Sequence, residues 1–240
     1  MFKKEKSWLL KMVILSMLVG LGVVISPILR FEGMCPMAHL INIVCSVLLG
    51  PWYSLLCATL IGIIRMIIMG IPPIALTGAI FGAFLSGVCY RASKGKILFA
   101  VVGEVIGTGI IGAVLSYPVM TILWGKEGLS WLFYVPTFIC GTLIGGSIAY
   151  VFLKKLANIG VLPQLQNRLG VKSYDDKSGV LGNTATIASL GVICFMVIKI
   201  LTGVFNMTAP IWNYTAFTVL GLFIIASILY FILKKGHKGC

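Results

Sequence analysis

The sequence predicts an all-α integral membrane protein: a six-helix bundle followed by a C-terminal two-helix transmembrane hairpin. Three observations lead there. Of 240 residues, 59% are hydrophobic and only 10% charged, against about 25% charged in a soluble domain. Mean hydropathy is +1.07. The apolar residues fall into eight runs parted by turn signals or charge, most of them near the roughly 20 residues a helix needs to cross a bilayer. A water-soluble globular fold is excluded, and so is disorder, because so much apolar surface cannot stay solvated.

The runs can be taken in order. The first, 9–29, is too long for a signal-peptide core and no small-residue cleavage site follows, so it reads as a retained span. The second, 37–50, is short and stops at Leu49-Gly50-Pro51. The third, 51–69, is ended by Gly70-Ile71-Pro72-Pro73, residues that break helices. The fourth covers 74–91, the fifth 97–123 and the sixth 130–154. A polar stretch from Asn158 to Asn183 follows, then spans at 184–205 and 211–233. This gives a six-span domain over 1–157, a cytoplasmic linker over 158–183, and a two-span hairpin with a basic tail over 184–240. No internal repeat is visible, which argues against an inverted-repeat transporter.

Lys and Arg number 19 against 6 Asp and Glu, a net charge of +13. With the N-terminus in the cytoplasm, every basic residue except Arg30, Arg65, Lys126 and Lys199 falls on an inner segment. That is the positive-inside pattern. It predicts a multi-pass protein of the plasma membrane with both termini cytoplasmic. The lipid bilayer is the partner this charge addresses. A nucleic-acid surface would need basic residues interleaved with aromatics on one face, and there is none. The seven cysteines include no CxxC pair, and His39 and His237 stand outside any HExxH. No metal site or cofactor is expected, and the cysteines read as small buried hydrophobes.

Polar groups inside spans are costly and are the first candidates for function. Arg65 lies about 21 Å along the third span at 1.5 Å per residue, in the outer half. His39 and Asn42, three apart and so on one helix face, start the second span at the outer face. Thr77 opens the fourth span; Tyr117 and Thr121 end the fifth. Trp124, Trp131, Phe133 and Tyr134 stand just beyond them. Convergent polar groups under aromatic walls suit a small-molecule pocket. His39, Asn42, Arg65, Thr77, Tyr117 and Trp131 are the candidate binding residues, Tyr117 and Trp131 by stacking. Lys199, near the outer end of the seventh span, is expected to snorkel outward.

Glu104 lies lower, about 10 Å above the inner surface, within Gly103-Glu104-Val105-Ile106-Gly107-Thr108-Gly109. Small residues let helices approach closely, so Glu104 reads as a structural buried charge. On this topology Glu104 and His39 sit at opposite ends of the bilayer. That leaves no nucleophile–base pair at matched depth, so no catalytic residue is named and a membrane-embedded enzyme is the weaker alternative. Ser16 and Gly20 form a small-xxx-small face on the first span, a docking surface for another helix. No P-loop GxxxxGK[ST] is present, so the chain cannot energise transport by its own ATP hydrolysis.

Several strings carry a resemblance: Leu48-Leu49-Gly50-Pro51-Trp52-Tyr53, Ile63-Ile64-Arg65, and the glycine run from Gly103 through Ser116-Tyr117-Pro118-Val119, with Cys35-Pro36 and His39-xx-Asn42 ahead of them. Over about residues 8–155 the chain resembles the ThiW family, thiazole-specificity S components of energy-coupling factor (ECF) transporters. The resemblance implies a six-helix S-component bundle that captures a thiamin precursor, the thiazole alcohol hydroxyethyl-methylthiazole, from outside. It implies as partners a transmembrane T component and two ABC ATPase subunits. Ser16 and Gly20 stand where related proteins carry an Ala-xxx-Ala face toward the T component. Met66 replaces the Asn that usually follows the arginine, and Ala75-Leu76-Thr77-Gly78-Ala79 replaces an Ala-Phe-Pro-Gly-Ser stretch. An S component for a different vitamin or precursor is the alternative those changes allow. Residues 158–240 lie outside the resemblance.

Overall fold

A computed structural model describes residues 2–28, 35–174, 179–204 and 209–236. Parts of the expected first loop, linker, hairpin turn and tail (29–34, 175–178, 205–208 and 237–240) lie outside the described residues. The described residues contain helices and no strand. Among the described residues seven helices are long and apolar enough to cross a membrane, as in a multi-pass, all-α membrane protein. The chain divides into two compact units, Met1–Asp176 and Lys177–Cys240.

In the first unit, α1 spans Phe2–Ile28, α2 Pro36–Leu49, α3 Pro51–Met69 and α4 Ile74–Ala92. The fifth span, α5, runs Ile97–Leu123 and is not uniform. Two π-helical stretches, Val105–Gly112 and Val119–Leu123, interrupt its α-helical turns. α6 is Val135–Asn158, with proline in its first turn. The expected start at 130 was therefore too early: a turn occupies 131–134, and Pro136 suits the first helical turn, where its missing N–H costs nothing.

α2 is the centre of the unit. It packs against α1, α3, α4, α5 and α6, and all its residues but Leu40 are buried. At 14 residues it is about 21 Å long, too short for a hydrocarbon core of about 30 Å. Close helix approach relies on missing side chains. A Cβ on Gly107 of α5 would lie 2.6 Å from the Gly82 Cα of α4, and one on Gly103 would lie 2.6 Å from the Leu85 carbonyl oxygen. At the α2–α3 turn, Gly50 has φ +94°, a conformation open to glycine. The Arg91 guanidinium fills the space a side chain there would take.

The stretch expected to be a linker is built into this unit as far as residue 174. Val161–Arg168 forms a short helix, α7. Its Gln166 is fully buried and donates to the Val47 carbonyl and to Tyr90 Oη, each at 3.0 Å. The segment reads as polar because one face is solvated, while Leu162, Gln166 and Leu169 point inward.

The second unit is a helical hairpin of α8, Val180–Val204, and α9, Pro210–Gly236. Its two helices pair through Asn183 Nδ2 to Tyr230 Oη at 3.0 Å, Ser227 Oγ to the Thr184 carbonyl at 3.0 Å, and Lys199 Nζ to Asn213 Oδ1 at 3.0 Å. Lys199 thus bridges the hairpin instead of only reaching outward.

Candidate ligand-binding site

A cavity of about 350 Å³ opens at the end of the first unit opposite Gly50. Its wall is made by Cys35, Ala38 and His39 of the α2 entry, Arg65 of α3, Ala75, Gly78 and Ala79 of α4, Thr108 and Met120 of α5, and Tyr134 and Phe138 around the α6 start. Apolar and aromatic groups dominate, with a few polar atoms among them, as in small-molecule sites. The first unit has a second cleft of about 360 Å³, near Lys11, Arg91 and Lys172. Arg91 and Lys172 are exposed and Lys11 is half-buried; no buried, unpartnered polar atom lines that cleft.

Arg65 is the sharpest feature of the first cavity. It is 5% exposed. Its Nη2 has only a long contact to Cys35 Sγ at 3.8 Å, and its Nε has no partner. Burying a guanidinium with so little compensation is costly, so the site is suited to a group that accepts hydrogen bonds. Tyr134 adds a second donor, because its buried Oη also lacks a partner. Burial pushes the Tyr134 phenol above its ordinary pKa, which keeps it protonated and able to donate. Tyr134 packs on Phe133 and Phe138 with ring centroids 5.0 and 5.9 Å apart.

Behind the cavity wall lies a buried polar cluster. Glu104 is 0% exposed. Its Oε1 meets His39 Nδ1 at 2.9 Å, accepts from Asn42 Nδ2 at 3.0 Å and accepts from Thr108 Oγ1 at 3.2 Å. Gly82 makes room for it: a Cβ there would strike Thr108 Oγ1 and lie 2.9 Å from Glu104 Oε2.

This corrects the expected separation of His39 and Glu104, whose side chains meet at 2.9 Å. The physical reason is the short α2. His39 stands ten residues before Leu49, about 15 Å from the Gly50 end, and Glu104 about 10 Å from that end. Two side chains span the difference. His39 is accordingly buried and is no solvated cap at the membrane surface.

The other candidates are placed as follows. Asn42 sits one turn behind His39 on Glu104. Thr77 pairs with Ser116 Oγ at 2.8 Å and is not part of the cavity wall. Tyr117 and Trp131 stack on each other, centroids 4.5 Å apart, and neither lines the cavity. The aromatic wall is instead Phe133, Tyr134 and Phe138. Phe138 was missed, although its spacing of four from Tyr134 puts both on one helix face. Thr108 was missed too, four residues after Glu104. Cys35 lines the cavity and Cys140 is exposed, so not every cysteine is a buried hydrophobe. Among the described residues no cluster suits a metal ion.

Ser16 and Gly20 face away from the bundle. Ser16 Oγ bonds back to the Met12 carbonyl at 3.0 Å, and a Cβ on Gly20 would meet nothing within 4 Å. α1 packs through Gly22 instead, where a Cβ would collide with Ile61.

The family model described as thiamine-precursor transporter protein (ThiW) matches residues 12–159. The chain belongs to the ThiW family. The match covers more than half the chain and contains every wall residue of the cavity. Membership makes this a membrane protein of a thiamine-precursor transporter family. No curated protein and no solved structure matches the chain.

Proposed function

We propose that this chain is the substrate-specificity subunit of an ECF-type importer and that it captures hydroxyethyl-methylthiazole in the cavity beside Arg65. The observation that carries the reading is a buried, nearly unpartnered guanidinium in an aromatic-walled cavity of about 350 Å³, within a family of thiamine-precursor transporters. A single-ring alcohol suits that space, and cavities of this size suit small ligands. Arg65 donates to the ring nitrogen, Tyr134 Oη is a second donor at the same end of the site, and Phe133 and Phe138 cover the ring. His39 lines the cavity and Asn42 supports it from behind. Thr77, Tyr117 and Trp131 hold the surrounding helix ends in place.

The chain carries no P-loop, so energy comes from partners: a T component and two ABC ATPases. The exposed Ser16 and Gly20 face of α1 is the docking surface for the T component. The positive-inside pattern of the basic segments supports cytoplasmic termini and a cavity that opens toward the outside of the plasma membrane.

The test is calorimetry on the purified full-length protein. Hydroxyethyl-methylthiazole should bind with submicromolar affinity, and Arg65→Ala should weaken it about tenfold to a hundredfold, as for loss of a charged hydrogen bond. No heat of binding, or an unchanged affinity in Arg65→Ala, would sink the assignment.

A further inference from the structure

We infer that Glu104 is a positioning residue: it holds the His39 proton on Nδ1, turns Nε2 into an acceptor facing the cavity, and so makes the site select ligands that carry a hydroxyl donor. This rests on the cavity being the ligand site and adds how that site reads one end of its ligand.

Glu104 Oε1 collects three groups: Asn42 Nδ2, Thr108 Oγ1 and His39 Nδ1. The amide and the hydroxyl arrive as donors. With Oε1 accepting from all three groups, and Oε2 buried without a partner among the described residues, His39 presents Nδ1 as N–H. A neutral imidazole carries one ring proton, which leaves Nε2 as a bare lone pair.

Among the described residues, Arg65 and Glu104 are the buried charged side chains beside this cavity. Lys126 also lines it but is exposed. Among the described residues the hydrogen bond of His39 is made by Nδ1, and the residue forms part of the cavity wall, which leaves Nε2 for a ligand.

The site is therefore polar with opposite sense at its two poles. Arg65 and Tyr134 offer donors; His39 offers an acceptor. A thiazole alcohol lies one way round, hydroxyl to His39 and ring nitrogen to Arg65. An ether cannot donate to His39. It leaves that lone pair buried and unpaired, which is the costly outcome for a polar site.

The experiment compares hydroxyethyl-methylthiazole with its methyl ether on the purified full-length protein, together with 15N NMR of labelled histidine. The chain has only two histidines, His39 and His237, so His237→Gln assigns the spectrum. The expected result is at least about tenfold preference for the alcohol and an Nδ1-protonated His39. Glu104→Gln keeps an acceptor oxygen and should retain most of the preference. Glu104→Met removes the acceptor and should bring the two affinities within about threefold, with an Nε2-protonated or mixed His39. A merely structural Glu104 would lower both affinities together and leave their ratio intact.

Equal binding of alcohol and ether by the wild type overturns the inference while leaving the thiazole reading standing. Failure of both to bind sinks the thiazole reading. The spectrum then decides the inference: an Nε2–H His39 in the wild type overturns it, and an Nδ1–H tautomer lost in Glu104→Met upholds it. If Glu104→Met does not fold, the wild type decides by itself: an Nδ1–H His39 with the alcohol preference upholds the inference, and an Nε2–H His39 or equal binding overturns it.

Discussion

The fifth span and the terminal hairpin have nearly the same hydropathy and very different surroundings. The most apolar 18-residue stretch of Ile97–Leu123 has a mean hydropathy of 2.2 and is 50% buried; those of Val180–Gly203 and Pro210–Lys235 reach 2.1 and 2.6 and are each 11% buried. Hydropathy reports that a segment suits lipid. It does not report whether a segment faces lipid or faces other helices. α5 is buried because its glycines admit α4 to backbone contact, and only a helix buried in this way can hold Glu104 away from both lipid and water. The hairpin pairs its own two helices through three hydrogen bonds and encloses no comparable polar cluster among the described residues. The fifth span and the hairpin thus differ in whether their polar contacts gather into one buried cluster, not in apolar content.

That comparison can be broken at graded points. The largest effect is expected from Gly107→Leu. Its side chain would enter backbone of α4 with no flexible atom to yield, costing about 1–3 kcal/mol or more. A melting temperature within a few degrees of wild type would show that close backbone approach does not hold the first unit together. Gly20→Leu comes next and touches no atom of the bundle. Ligand affinity should stay within about twofold, while uptake of labelled thiazole alcohol in cells with T and ATPase subunits should fall severalfold if the face docks a helix. Unchanged uptake would remove α1 as the docking surface.

Gln166→Leu tests whether the segment after α6 belongs to the bundle. It loses two buried hydrogen bonds and leaves the Val47 carbonyl without this donor. The expected cost is about 1–3 kcal/mol, seen as earlier denaturation with ligand affinity little altered. Asn183→Ala should do least. Its bond to Tyr230 is exposed, and losing it should cost at most about 1 kcal/mol, with no change in ligand binding. A large loss of binding in Asn183→Ala would mean that the hairpin takes part in ligand capture.

Much of the fold was legible in the chain. The turn residues Gly50-Pro51 and Gly70 to Pro73 cluster glycine with proline and end α2 and α3, and the long apolar runs left few alternatives. α7 was not legible, because an eight-residue helix with one solvated face looks polar in sequence. At the site, Arg65 could be singled out, since a buried guanidinium is unusual wherever it sits. The meeting of His39 and Glu104 could not be foreseen by treating each span as bilayer-thick. α2 is not, and its short length moves His39 inward by roughly a third of the membrane. Tyr117 and Trp131 lie on the correct side of the bundle, but each occupies the other's ring face, an outcome no spacing rule predicts.

By itself the sequence determined that this protein lives in a bilayer, where its helices stop, and that one arginine is stranded among apolar residues. Composition and turn chemistry act locally, so they can be read along the chain. Only the tertiary structure decided what faces that arginine: which aromatic rings wall the cavity, that Glu104 turns toward His39, and that the segment after α6 folds back onto Tyr90 and Val47. Those outcomes depend on helix depth and on side chains from distant parts of the chain meeting at one point, and neither is encoded in any single segment.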